Sequence, residues 1–299
     1  MDSEPIFNLS EHRVPGPATC YYIPDFITAR TACLLAALLK ILLSSGGNNS
    51  LIAGGSSCSL LQLWGSSRSP LRSSQEFTET GGELTSNNAL IAQPMPPFVE
   101  SYPDIIARLQ RTGAFARSPH GKPNHIIMNE YRPGQGECYV TYFAANPPQP
   151  SDVQGIMPHE DGPAYHPVVA TISLQSHCVF HYYRYKEDEN GPETAGKSID
   201  PTPVLSVLLE PRSVVISQDD LYASHLHAIR EVEEDVIHST LLEIDQSMRL
   251  PIANRDKLTS PSAIQFVNEG GTLKRETRYS LTCRDVQKVV QLKALFGKR

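Results

Sequence analysis

In the segment GIMPHEDGPAY, His159 and Asp161 stand two residues apart. Alternate residues of an extended chain project from one face, so if the segment is a strand end, imidazole and carboxylate leave it together. That pair suits Fe(II), because two histidines and one carboxylate on one face of an octahedron leave positions open for a co-substrate and dioxygen. A third ligand has to come from elsewhere in the chain. His177, His181, His225, His227 and His238 lie downstream, and only His225 and His227 follow directly on a β-rich run, the one ending at Ser217. Taken alone the motif is short, and a surface histidine beside an acid is spelled the same way.

A second stretch with chemistry in it is RYSLTCR. Arg278, Ser280, Thr282 and Arg284 alternate with Tyr279, Leu281 and Cys283, so a strand here has one polar, doubly cationic face and one apolar face. Two guanidinium groups turned inward are costly without anionic partners, and a dicarboxylate fits because guanidinium grips carboxylate with two parallel hydrogen bonds. The competing reading is an outward face solvated and paired with Asp or Glu. Asn129 and Tyr131 in NHIIMNEYRPG repeat the two-residue spacing just before the Pro133-Gly134 turn, offering an amide and a phenol to the same acid or simply ending a strand.

The elements around these residues are mostly strands. NHIIMNEYRP, HPVVATISLQSHCVFHYYRY, PVLSVLLEPRSVVIS, STLLEID and RYSLTCRDV are β-rich with no long helices between them, which predicts an antiparallel sandwich or barrel. YYIPDFIT predicts a strand from Tyr21 and a helix start with Thr28 as N-cap. Val99, Tyr102, Ile105, Ile106 and Leu109 recur at helical spacing and predict one packed helix from Phe98 to Thr112. From Thr31 to Glu79 no sustained period survives, so this stretch is expected to be irregular, a linker or a variable lid. Lys186 to Pro203 and Gln246 to Lys274 are expected to be surface loops.

Composition narrows the class. The 299 residues are 40% apolar, enough for a core, and carry 26 basic against 32 acidic side chains, so the net charge of -6 provides no general field for phosphate backbones. The six cysteines form no CxxC pair and fit neither a disulfide framework nor a structural zinc site, which favours a reducing compartment, cytoplasm or nucleus. The first twenty residues alternate charged, proline and polar groups without an apolar run, so a secretory signal peptide is not expected. The longest apolar run, Ala32 to Leu43, is broken by Lys40 and falls short of the roughly 20 residues a membrane span needs.

Together, NHIIMNEYRPGQG, GIMPHEDGPAYHPVVATISLQSH, LLEPRSVVIS, LHAI and RYSLTCR resemble the AlkB family of Fe(II)/2-oxoglutarate dioxygenases, most closely its eukaryotic homologue-6 branch. The resemblance covers Tyr21 to Thr28 and, with interruptions, Pro94 to the C-terminus. It implies a double-stranded β-helix, or jelly roll, mainly β with flanking helices, as the fold of a domain spanning 94–299, preceded by an N-terminal segment over 1–93. It implies His159, Asp161 and the histidine of LHAI, His227, as metal ligands and catalytic residues. It places the distal carboxylate of 2-oxoglutarate on Arg278, with Asn129, Tyr131 and Arg284 lining the same pocket and Ser280 where many relatives carry asparagine. The implied activity is hydroxylation of an alkylated base in DNA or RNA with dioxygen as co-substrate, N-methyl groups then leaving as formaldehyde.

Two segments depart from that pattern. Glu137 to Gln154 separates GQG from GIMPHEDGP, which adjoin in the relatives. Gly136-Glu137-Cys138 can be encoded around GTGAGT and Val153-Gln154 can end in CAG, so a translated intron is expected here. In the 31–79 stretch, Gly46 to Gly55 read one nucleotide earlier permits RWKQLANRR, close to the family's basic substrate lid, which suggests a shifted frame; a true insertion is the alternative. Two other functions compete. A catalytically weak nucleic-acid-binding scaffold would use Lys274, Arg275, Lys288, Lys293, Lys298 and Arg299, and a cupin-like metal protein would have no use for the paired arginines.

Overall fold

The computed structural model describes residues 7–44, 77–133, 156–186, 198–237 and 252–290. In chain order the strands are β1 (Cys20–Ile23), β2 (Phe77–Thr80), β3 (Gly82–Leu84), β4 (Ala89–Ala92), β5 (His125–Tyr131), β6 (Ile156–His159), β7 (Tyr165–Leu174) and β8 (Cys178–Tyr183). They continue as β9 (Leu205–Leu209), β10 (Val214–Gln218), β11 (Leu226–Ile229), β12 (Glu234–Ile237), β13 (Gly271–Lys274), β14 (Arg278–Val286) and β15 (Lys288–Val290). The helices are α1 (Ala29–Ser44), α2 (Pro97–Glu100), α3 (Ile105–Gln110), α4 (Asp220–Ala223) and α5 (Pro261–Glu269). Among the described residues, no helix is long and apolar enough to cross a membrane.

A major sheet runs β1-β10-β7-β14-β5-β2 and a minor sheet β6-β11-β8-β9, with every neighbouring pair antiparallel. Taking β5 to β11 and β14 in chain order, the first strand pairs with the eighth, the second with the seventh, the third with the sixth and the fourth with the fifth. That nested pairing is a long hairpin rolled into two facing sheets, the jelly roll. Residues before Pro94 share in it, since β1 and β2 form the two edges of the major sheet.

Strand alternation decides what each face of the major sheet does. One face turns Ile126, Met128, Ala170, Ile172, Leu174, Val214, Ile216, Tyr279, Leu281 and Cys283 outward under the helices. The other turns Tyr22 and Val215 toward Cys178, Phe180, Tyr182, Val207 and Leu209 of the minor sheet. The polar residues of β14 lie on this inner face, so its two arginines point into the space between the sheets.

Helix α1 begins as expected at Thr28, whose Oγ1 accepts from Thr31 N at 3.2 Å. It then runs on to Ser44 and buries Ala32, Leu35, Ala36 and Leu39, an i, i+3, i+4, i+7 stripe, against the major sheet. An irregular stretch was expected from Thr31; the uniform Leu/Ala run hid the stripe because apolar residues also occupy the exposed face. The segment Phe98 to Thr112, expected as one helix, is two. Pro103 offers no N–H and biases the residue before it away from helix, and the chain restarts at Asp104, at φ 53°, whose side chain accepts from Ala107 N at 3.2 Å. Tyr102, expected to pack, is 61% exposed.

Gln246 to Lys274 is also more ordered than expected where it is described. Helix α5 buries Ala263 and Phe266, and its N-terminal end is held by Glu210, which accepts from Ser260 N at 2.6 Å and from Thr259 N. A nine-residue helix is too short to show a clear period. STLLEID, most of the Lys186 to Pro203 loop and Glu137 to Gln154 lie outside the described residues, as do 45–76.

Candidate metal centre

His159 ends β6 and His227 sits on β11, directly opposite it in the antiparallel register. Registered partners project to the same side, which brings the imidazoles to 4.2 Å between ring centroids. Asp161 follows two residues after His159, and ligand atoms of His159, Asp161 and His227 all lie within 4.8 Å of one another. His159 Nδ1 lies 2.9 Å from the Met157 carbonyl oxygen. A carbonyl only accepts, so Nδ1 carries the proton and Nε2 keeps its lone pair for a metal. Phe180 stacks on His227 at 5.5 Å and 16°, fixing that ring from the minor sheet.

Burial drives the His227 imidazole down to about 3, against the pull of Asp161. Burial by itself raises the Asp161 carboxyl, but the Arg284 guanidinium, aided by His227 and His159, outweighs it and holds the carboxyl below its ordinary value. At neutral pH His227 is therefore a neutral imidazole and Asp161 a carboxylate, the forms in which each ligates a metal.

Along the inner face of the major sheet lies a buried group of cationic and polar side chains that reaches the cluster through Arg284. Across the inner face, Ser173, Ser280 and Asn129 form one row on β7, β14 and β5, and Arg278 stands opposite Tyr131 in the next. Arg278 is 3% exposed, its Cζ lies 5.0 Å from the centre of the Tyr131 ring, and its Nη2 donates to Ser173 Oγ at 2.8 Å. Among the described residues, Nε and Nη1 of both Arg278 and Arg284, together with Ser280 Oγ, are buried without a hydrogen-bond partner. Such groups cost stability unless something accepts from them. Five donor atoms with nothing to donate to fit a carboxylate-bearing guest, and Asp161 Oδ2, likewise buried without a partner, fits a cation. The donor set present thus suits Fe(II) with 2-oxoglutarate.

No family model matches the chain. A protein of Danio rerio named "Probable RNA/DNA demethylase ALKBH6" is 32% identical over 288 residues, which is 95% of this chain and 92% of that protein. The chain belongs to the AlkB family. The solved structure of OsALKBH1 shares 14% identity with this AlkB-family chain at a TM-score of 0.42, covering 90% of this chain and 99% of its own. A Pseudomonas putida prolyl-4-hydroxylase shares 8% at a TM-score of 0.38, covering 90% and 93%.

Within this AlkB-family chain the eight residues singled out in the sequence converge. His159, Asp161 and His227 cluster, and Asn129, Tyr131, Arg278, Ser280 and Arg284 occupy β5 and β14 on the face toward them. Arg284 does more than line the pocket, since its Nη2 donates to Asp161 Oδ1 at 2.5 Å. His225 is not part of the cluster; its Nδ1 lies 2.9 Å from the carbonyl oxygen of Asp220, the first residue of α4. Sequence reasoning missed Ser173, Tyr165, whose ring lies 5.0 Å from Arg284 Cζ, and Tyr222, whose hydroxyl donates to Gly162 O at 3.3 Å. Ser173 sits in an apolar run with nothing to mark it. Tyr165 carried a weak signal, four residues after Asp161 at the start of a strand.

Proposed function

We propose that this protein is an Fe(II)- and 2-oxoglutarate-dependent dioxygenase that demethylates alkylated nucleic acid. What carries the reading is the juxtaposition of a His-Asp-His cluster with two buried arginines whose Nε and Nη1 find no acceptor among the described residues. A cupin-like metal protein has no use for those arginines, and a scaffold has no use for the cluster. Nucleic acid as substrate is supported by family membership and by the name of the Danio rerio relative, an RNA/DNA demethylase.

His159, Asp161 and His227 would hold the iron, and Arg278 would grip the distal carboxylate of 2-oxoglutarate while Tyr131 covers one face of the guanidinium. Asn129 and Ser280 face the same end of the pocket, and Arg284 keeps Asp161 ionised and aimed. When bound, the iron and 2-oxoglutarate supply, with dioxygen, the oxidant for hydroxylating a C–H bond, with succinate and carbon dioxide as co-products. The chain's own part is to order those groups: Phe180 stacks on His227, buried Tyr182 stands opposite His227 and buried Val169 opposite Arg284. A hydroxylated N-methyl group on the substrate then breaks down to formaldehyde and the bare nitrogen. On cysteine spacing we place the protein in the cytoplasm or nucleus.

The test measures succinate from 2-oxoglutarate with Fe(II) and dioxygen, without substrate and with N-methylated DNA or RNA oligonucleotides, beside an Asp161→Ala control. Wild type is expected to release succinate and the control none. Equal release from both ends the enzyme reading. Stimulation by one oligonucleotide class, with matching formaldehyde, assigns the substrate; none by either sinks the nucleic-acid part.

A further inference from the structure

Arg278 lies almost wholly inside the jelly roll, and among the described residues it is paired with no carboxylate. Its orientation rests on two contacts, the Tyr131 ring at 5.0 Å and the hydrogen bond from Nη2 to Ser173 Oγ at 2.8 Å. Ser173 has no exposed surface, and its backbone is already used: its N–H donates to Ser213 O at 3.0 Å and its carbonyl accepts from Arg212 N at 2.7 Å. What remains is the hydroxyl. It accepts from the guanidinium, and because a hydroxyl has one proton of its own to give, it still has a donor to place. Ser280, its cross-strand partner, brings a second buried hydroxyl without a partner.

Arg278 Nε and Nη1 and the two serine hydroxyls are thus neighbouring buried donors with no matching acceptor among the described residues. A serine serving only to fill the strand would leave its proton buried and unspent, at a cost of the order of 1 kcal/mol or more. A carboxylate resting on Arg278 would take it.

We propose that Ser173 is a positioning residue of the co-substrate site: it orients the Arg278 guanidinium and donates its own hydroxyl to the distal carboxylate of 2-oxoglutarate. This rests on the co-substrate reading given above. It makes the distal end of the site a guanidinium framed by hydroxyls, so Ser173 matters only for a 2-oxo acid that carries a second carboxylate.

The experiment loads wild type, Ser173→Ala, Ser173→Thr and Arg278→Ala with Mn(II). It measures binding of 2-oxoglutarate and of 2-oxobutyrate, which lacks the distal carboxylate, by calorimetry, and follows succinate release with Fe(II). Ser173→Ala is expected to weaken 2-oxoglutarate binding and raise its KM about tenfold, the size of one hydrogen bond to a charged group, with kcat, Mn(II) affinity and 2-oxobutyrate binding near wild type. Ser173→Thr, which keeps the hydroxyl, is expected to recover most of the loss. If Ser173→Ala binds 2-oxoglutarate as wild type does while Arg278→Ala does not, the assignment of Ser173 falls. If Ser173→Ala weakens both acids equally, or Thr fails to rescue, Ser173 is structural and the proposal is overturned. If Arg278→Ala is also without effect, it is the co-substrate reading that fails.

Discussion

Arg284 Nη2 donates to Asp161 Oδ1 at 2.5 Å, with the two side chains only 7% and 6% exposed. A residue of the major sheet thereby holds a ligand carried on a turn that leaves the minor sheet, so the pair joins the sheets at the point where the metal would sit. The arrangement leaves Oδ2 as the carboxylate oxygen for the metal.

Replacing Arg284 by Met keeps the length of the side chain and removes the charge. Iron affinity is expected to fall by about tenfold to a hundredfold, the usual effect of losing a partner that aims a ligand. The metal-free protein should also lose about 3 to 5 kcal/mol, because Asp161 is left buried without its counter-ion. Iron titration and urea unfolding measure the two separately. Unchanged iron affinity would show that Arg284 does not set the carboxylate's orientation.

His227→Ala is expected to abolish stoichiometric iron binding, while His225→Ala leaves it intact, because His225 spends its Nδ1 on the Asp220 carbonyl and lies outside the cluster. Iron content after anaerobic reconstitution decides it. Retention of iron by His227→Ala would return His225 to the ligand set.

The site was legible in the sequence because its parts lie on strands, where a spacing of two fixes the face. Arg278 and Arg284, Asn129 and Tyr131, and His159 and Asp161 each announce a shared side. Pairing is not written in a spacing, so whether β14 faced inward was open until β5 and β7 were found on either side of it. Ser173 could not be found for the same reason, since it matters only because register puts it across from Ser280. Helix boundaries went wrong where local chemistry overrode the pattern, at Pro103 and Asp104, and where the pattern was saturated, in the Leu/Ala run of α1.

That run gives a sharp test of whether α1 belongs to the fold. Leu35 has no exposed surface and packs on the major sheet, whereas Leu34, its neighbour, is 37% exposed. Leu35→Ala is expected to cost about 2 to 5 kcal/mol, and Leu34→Ala within about 0.5 kcal/mol. Thermal and urea unfolding measure both. Equal, small effects would mean that the helix is not docked as described.

His181 carries the clearest pH dependence outside the metal cluster. It is 5% exposed on β8, with Nδ1 2.8 Å from Ser206 Oγ, and burial, reinforced by Arg230 and Arg275 and opposed by Asp235, pushes it down to about 4. An unfolded histidine titrates near its ordinary 6.5. Between these values the unfolded chain takes up a proton that the folded chain refuses. His181 therefore costs the fold nothing above about pH 6.5 and destabilises it by about 1.4 kcal/mol per pH unit as pH falls toward about 4. His181→Asn keeps a polar atom near Nδ1 and does not titrate. It should be less stable than wild type at about pH 7, through lost packing, and the gap should narrow steadily by about pH 5. Taking the difference between the two proteins cancels the titrating groups that do not interact with His181. Urea unfolding of the metal-free pair across this range gives the result, and a gap that stays constant would show that His181 is protonated in the folded chain as readily as in the unfolded one.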